Sequence, residues 1–308
     1  MSTHTAAAEE APTAPPPAVE PQAANPAAQP TRAADLPLDT RFTLGPEITP
    51  VQQEFLDLHG FLVFDRVASE DEVAMIKSEL DRIEAEWLAE GREYVNGIPI
   101  FYGKRNGRKW VQRFTFTSTF SESLAKFVRD ERFEPVRKLI GEDARIGDAE
   151  KDGVVVNRYL NQPGSIYKRL GWHTDGLRDV FYGRMPVQML NVGLHLDRCT
   201  RTDGGLRLIP DTHEQSFKDV LLRKIHFVSH DEDPAEICVE TQPGDLTVHD
   251  GRLWHRVARS SYSDDRSLRH SMYVPYLTGP YEPKDENSKT PFYHHWSRMM
   301  LGLQARLS

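Results

Sequence analysis

Two imidazoles and a carboxylate stand at His173, Asp175 and His255. On an extended segment residues i and i+2 point the same way, so His173 and Asp175 can hold one ion while Thr174 faces away. A single distant His completes a set that covers one face of a metal and leaves three positions open. That donor set suits non-haem Fe(II) oxygenases; structural zinc prefers a closed tetrahedral shell. Gly171 and Gly176 bracket the first half, as at a strand end opening into a loop. The second half reads Pro243-Gly244-Asp245 as a turn, Leu246-Thr247-Val248 as a short strand and Asp250-Gly251 as a tight turn before Leu253-Trp254-His255. This is a hairpin-like layout that delivers His255 from a β segment. His195-Leu196-Asp197 repeats the spacing but ends an apolar run from Met189, where a His belongs to a core or cavity wall. It is the weaker ligand pair.

An iron of this type needs a co-substrate that supplies two electrons. A 2-oxo dicarboxylate chelates the metal at one end and needs a cation at the other, and Arg meets a carboxylate bidentately at any working pH. Arg266 and Arg269 both precede a strand-like run, His270 to Leu277. The ordinary fate of either Arg is a surface charge at a strand end.

Ile48-Thr49-Pro50, the segment Phe55 to Phe64, Asn161-Gln162-Pro163-Gly164, Gly204 to His213 and the distal His followed by Arg together resemble the phytanoyl-CoA dioxygenase family of Fe(II)/2-oxoglutarate-dependent oxygenases. The resemblance covers roughly residues 48 to 280. It implies metal ligands at His173, Asp175 and His255, a co-substrate anchor at Arg269 with Arg266 as the alternative, and Asn157 and Asn191 on the co-substrate pocket. It implies Fe(II), 2-oxoglutarate and O2, with hydroxylation of an unactivated C–H, desaturation or ring formation as the outcome. Halogenating relatives lack the carboxylate that Asp175 supplies here. The family pattern is broken at Asp211, where a glycine is usual, and at Asn161, where Lys is frequent. The usual spacing from distal His to Arg selects Arg266, whereas the strand that follows selects Arg269.

These side chains need a scaffold. Ser69-Glu70-Asp71-Glu72 is a capping box that opens a helix with Val73, Ile76, Leu80, Ile83 and Trp87 on one stripe. A short helix is expected over 49–58, strands over 61–65 and 110–117, a second helix over 121–140 and a C-terminal helix over 291–307. From Val154 to Leu277 short strands alternate with Gly/Pro turns, which predicts a mainly β double-stranded β-helix, or jelly roll, buttressed by helices. The first 34 residues hold 12 Ala and 7 Pro. Such a segment buries too little to offset its ordering entropy, so residues 1–45 read as a disordered tail and 46–308 as one catalytic domain.

A hydrophobic content of 39% and charged content of 27% are those of a globular chain. A net charge of -8 argues against nucleic acid as a partner, and no apolar run is long enough for a membrane span. Cys199 and Cys238 have no metal-site spacing, which suits a reducing cytoplasm. The expected partner is a small-molecule substrate. Trp172, Arg178, Phe181, Tyr182 and His195 are candidate pocket walls. Lys104, Arg105, Arg108 and Lys109, beside Phe101 and Tyr102, either greet an anionic substrate or form a solvated loop. Two other classes stay open: a jelly-roll binding protein with a non-catalytic metal, and a cupin-type zinc hydrolase or isomerase.

Overall fold

A computed structural model describes residues 32–292, His294, His295 and Met299, with the backbone alone at Leu177 and Arg178. The expected C-terminal helix and residues 1–31 of the expected tail lie largely outside these residues.

The strands are β1 (Phe61–Phe64), β2 (Tyr94–Val95), β3 (Ile98–Pro99), β4 (Phe101–Arg105), β5 (Arg108–Phe114), β6 (Arg145–Ile146), β7 (Val155–Tyr159), β8 (Leu170–His173), β9 (Met189–His195), β10 (Gly205–Leu208), β11 (Ile237–Cys238), β12 (Leu246–Asp250), β13 (His255–Ala258) and β14 (Arg269–Leu277). They form an antiparallel major sheet in the order β1-β12-β9-β14-β7-β5-β4, with β6 also on β14, and a minor sheet in the order β11-β10-β13-β8. The β2–β3 pair stands apart. The two larger sheets are the halves of a jelly roll.

Period-two alternation sorts the side chains of the major sheet. Val156, Val192, Leu194, Val248, Met272, Val274 and Tyr276 join the large apolar core. Their neighbours Asn157, Asn191, His249, Tyr273 and Pro275 line the cavity between the sheets. That core is completed by α1 (Pro50–His59) and α2 (Glu70–Glu90). In α2 the Ser69 hydroxyl accepts from the Glu72 amide and the Glu72 carboxylate from the Ser69 amide, closing the capping box read from the sequence. Val73, Ile76, Leu80, Ile83 and Trp87 are all buried, and Gly91 ends the helix in the left-handed region at φ 66°. Each such side chain contributes about 1.5–3 kcal/mol by leaving water. Below the helix, Arg158 of β7 donates to Asp81 at 2.8 Å and to Glu84, tying α2 to the major sheet.

Three expectations need correction. Described residues well before 45 are already packed: Ala33 is fully buried, Phe42 bonds both ways with the backbone around Val63, and Arg41 pairs with Asp65 and Asp245. Composition missed this because the attachment is made by scattered residues, Ala33, Leu36, Leu38, Phe42 and Leu44 on the core and Arg41 on two carboxylates. The helix expected over 121–140 is two helices, α3 (Glu122–Val128) and α4 (Glu134–Lys138), since Asp130 caps a fresh turn and Pro135 starts the second. The hairpin expected around Asp250-Gly251 is no hairpin, because β12 pairs with β1 and β9 while β13 pairs with β10 and β8. The turn instead carries the chain from one sheet to the other.

Candidate active site

His173 ends β8 and His255 begins β13, directly opposite in the ladder, with ring centroids 4.1 Å apart. Each ring bonds through Nδ1 to a carbonyl two residues upstream, His173 to Gly171 at 2.8 Å and His255 to Leu253 at 2.9 Å. A carbonyl only accepts, so each Nδ1 carries the proton and each Nε2 presents a lone pair. The loop after β8 is pinned by the Asp175 amide donating to Gly251 at 2.7 Å, on the turn that precedes His255. The carboxylate then lies with Oδ1 3.7 Å from His255 Nε2. One donor atom from each of His173, Asp175 and His255 falls within 4.8 Å of the others, the one such group found among the described residues. Burial, then the neighbouring His255, holds the His173 imidazolium well below the usual histidine range. A neutral imidazole is the form that binds a metal, so the donor chemistry fits a divalent cation.

Other parts of the site, Asn191 apart, carried no clear sequence signal. Phe227 stacks on the His173 ring at 4.7 Å and 29°. The Thr174 hydroxyl turns to His226 Nε2 at 3.2 Å. Asn191 Nδ2 donates to Asp175 Oδ2 at 3.1 Å, and His249 Nε2 lies 3.8 Å from the same oxygen. Burial, then His255, pushes His249 down to about 3. Strand parity could have found His249, two residues beyond Thr247 on the inward face of β12.

The cavity has a volume of about 570 Å³. Phe101, Tyr159 and Tyr167 form an aromatic wall, and burial pushes the Tyr167 hydroxyl up to about 12, so it remains a donor. Elsewhere Arg113 donates to Asp152 at 2.5 Å, and His294 lies 3.0 Å from the other Asp152 oxygen. Arg145 grips Glu150 at 2.6 and 2.8 Å. Lys151, Lys284 and Lys289 also line it. Part of this wall, from Thr278 to His294, is a C-terminal segment that the sequence reading left out of the site.

The two arginines separate clearly. Arg266 is 70% exposed and bonded to Asp264 at 2.9 Å. Arg269 is 5% exposed and starts β14 opposite Tyr159, with its guanidinium 5.6 Å from that ring, and it is not itself among the residues lining the cavity. It donates to the carbonyls of Asp203 and Ala258, and its buried Nε has no partner. Gly204, at φ 89°, makes room for it: a Cβ there would sit 2.1 Å from Arg269 Nη1. Asn157 lines the cavity with a buried, unpartnered Oδ1.

The remaining sequence candidates are placed elsewhere. Trp172 alternates with His173 and so points outward, into a cluster with Ile209 and Trp254; it is no pocket wall. Phe181 and Tyr182 are exposed, at 54% and 69%. The Arg178 side chain lies outside the described residues. His195 bonds to Thr247 at 3.1 Å, whereas Asp197 binds Lys77 at 2.6 Å and His270 at 2.7 Å. That pair does not converge. Asp211 occupies the glycine position at φ 66°, a region Asp tolerates, and its carboxylate lies 3.0 Å from His59 Nδ1. Asn161 staples the loop before Arg266 through the carbonyls of Ser260 and Tyr262.

The profile of the phytanoyl-CoA dioxygenase family matches residues 56–266 of the 308, a span that contains both His half-sites. The chain belongs to that family. Two curated relatives are ectoine dioxygenases. The one from Bordetella bronchiseptica is 25% identical over 166 residues, covering 53% of this chain and 49% of the relative. The one from Streptomyces coelicolor is 26% identical over 161 residues, covering 52% and 49%. The chain thus spans about half the length of the curated relatives it matches. Among solved structures it resembles EctD from S. alaskensis with 2-oxoglutarate and 5-hydroxyectoine, at TM-score 0.55 and 18% identity over 81% of this chain and 83% of that one. It also resembles EvdO2 from Micromonospora carbonacea var. aurantiaca complexed with 2-oxoglutarate, at TM-score 0.54 and 18% identity over 82% and 98%. At that identity the likeness establishes the fold, which is the jelly roll expected from the sequence. For a member of the phytanoyl-CoA dioxygenase family, the matched span stops short of the C-terminal wall of the cavity.

Proposed function

We propose that this chain is an Fe(II)/2-oxoglutarate-dependent oxygenase that hydroxylates an unactivated C–H of a small molecule. The observation that carries the proposal is the convergence of two Nε2 lone pairs and one carboxylate on a cavity open to a substrate. Fe(II) bound there, with 2-oxoglutarate and O2, supplies the oxidation, and succinate and carbon dioxide leave. His173, Asp175 and His255 hold the ion. Arg269 receives the far carboxylate of 2-oxoglutarate, supported by its burial and its unpartnered Nε. Asn157 and the Tyr159 ring line the approach. Phe227 packs on one metal-binding imidazole and excludes water from that side.

The substrate is read as carrying an acidic group. Of the acidic residues that line the cavity, Glu150, Asp152 and Asp179 are paired with Arg145, Arg113 and Arg184 and Glu282 lies at its C-terminal wall, while Lys151 contacts only Met189 Sδ, at 3.1 Å, among the described contacts. The Lys104–Lys109 run does not line the cavity, so Lys151, Lys284 and Lys289 take over the role it was given. The net charge of -8 speaks against nucleic acid. Among the described residues no helix is long and apolar enough to cross a membrane. The free Cys199 and Cys238 suit a cytoplasmic setting.

Succinate formation with Fe(II), ascorbate and 2-oxoglutarate, screened against small acids in air and under argon, tests the reading. Oxygen-dependent succinate is expected. Substrate turnover under argon would move the protein to the zinc hydrolase or isomerase class, and metal retention without succinate to a binding protein.

The anchor is tested by mutation. A charge-assisted bond in a dry pocket contributes about 2–3 kcal/mol. Arg269→Ala is therefore expected to raise the 2-oxoglutarate requirement roughly 30- to 150-fold, and Arg269→Lys to recover only part, because a point charge replaces a fork. Arg266→Ala changes little. The reverse ranking in a 2-oxoglutarate titration would transfer the role to Arg266.

A further inference from the structure

Asp175 has two oxygens, and only one faces the metal-binding imidazoles. Oδ1 is 3.7 Å from His255 Nε2, whereas Oδ2 accepts from Asn191 Nδ2 at 3.1 Å and lies 3.8 Å from His249 Nε2. Asn191 of β9 and His249 of β12 are direct partners across the ladder, so one sheet presents both donors side by side. His249 is 1% exposed, and neither ring nitrogen has a hydrogen-bond partner. A buried polar group in that state is uncommon and costly. A phenyl ring would fill the same space without that cost. The residue thus has a chemical task that packing does not explain, and the nearest acceptor is the outer oxygen of Asp175.

We propose that Asn191 and His249 are positioning residues that clamp Asp175 Oδ2, so that the carboxylate offers the metal one oxygen. The inference rests on the oxygenase reading above. A carboxylate free to rotate would place its second oxygen on the ion and take a position that the co-substrate chelate or O2 requires. Asn191 already makes its bond. His249 needs to close by less than 1 Å to reach hydrogen-bonding distance, since N–H···O contacts fall at about 2.7–3.2 Å. It donates from Nε2 as a neutral ring. Asn191 therefore acts on the metal ligand, and not only as the co-substrate wall that the sequence resemblance implied.

The test is anaerobic titration of Co(II), followed by its visible ligand-field absorption, into wild type, Asn191→Leu, His249→Phe and His249→Gln. Loss of a residue that orients a metal ligand costs about 10- to 100-fold in metal affinity. That loss is expected in Asn191→Leu and His249→Phe, together with an altered ligand-field spectrum. His249→Gln, which retains an N–H donor, should recover part of both. The metal-free His249→Phe protein should melt at or above the wild-type temperature, since the orphaned nitrogens are gone. Wild-type affinity and spectrum in both apolar variants would overturn the clamp and leave the oxygenase reading standing. A lowered melting temperature in metal-free His249→Phe would make His249 a packing residue and overturn its part. Absence of Co(II) uptake by the wild type would overturn the oxygenase reading and the clamp with it.

Discussion

Replacing His255 by alanine is expected to reduce divalent-metal binding and 2-oxoglutarate turnover to background while the jelly roll stays folded. The ring faces a cavity, and its one hydrogen bond goes to Leu253 on its own segment. Its contact with the other sheet is to the His249 ring, centroids 4.6 Å apart, at the cavity and outside the apolar core. A substitution of this kind costs about 1–3 kcal/mol, and a domain of this size has about 5–15 kcal/mol of stability to lose from. The metal site has no such reserve. Only three donors converge there, and none of the remaining described groups forms another cluster of three. His173→Ala should behave alike. His195→Ala is the control, because that ring bonds to Thr247 and not toward Asp175. Metal content, anaerobic titration and thermal melting of the three proteins decide the matter: loss of metal in His195→Ala with retention in His255→Ala would sink the ligand assignment.

Acid should unfold the metal-free protein early, with stability falling steeply as pH drops from about 6.5 towards 4. Four imidazoles are responsible, the fourth being His226, which burial and then His255 lower to about 4. Desolvation lowers His195 to about 4 and His249 to about 3, and holds His173 well below its ordinary value. In the unfolded chain each titrates near about 6.5. Above that pH neither state binds the proton, and these groups leave stability flat. Below it the unfolded chain takes protons that the folded chain refuses, so stability is lost as pH falls. Each group contributes about 1.4 kcal/mol per pH unit in that window, and the four together up to about 5 kcal/mol per pH unit. Asp197, lowered to about 2 although burial opposes it because His270 and Lys77 hold it, adds its loss only below the ordinary carboxylate range. Urea midpoints measured at pH 7.5, 6 and 5 check this. A midpoint that holds steady from pH 7.5 to 5 would mean that the buried rings accept protons without penalty.

The convergence of His173, Asp175 and His255 was legible because its geometry is local. His173 and Asp175 are two residues apart on an extended segment, and His255 follows a turn that Asp250-Gly251 announces. The capping box at Ser69 and the stripe of α2 were legible for the same reason. The burial of Arg269 beside the exposure of Arg266 could be anticipated because a strand visibly follows Arg269. What failed depended on partners distant in sequence. Trp172 seemed a pocket wall by nearness in the chain, yet the parity that turns His173 inward turns it outward. The cavity wall from Thr278 to His294 carries no motif, and its place is set by Lys284 bonding to Ala149 and His294 meeting Asp152. His249 looked like one more strand residue until β9 set Asn191 beside it.

The order of the major sheet has a consequence for how the chain is made. Its edge strand, Phe61–Phe64, is wholly buried and pairs with Leu246–His249. A ribosome adding residues at about 5–20 per second exposes that partner roughly 10–40 s after the edge strand itself. Throughout that interval Phe61-Leu62-Val63-Phe64 is a nascent apolar segment with no sheet to join, of the kind that recruits chaperones or neighbouring chains. The strand that will back His249 is thus made well before the strand it joins and is among the last to find its place.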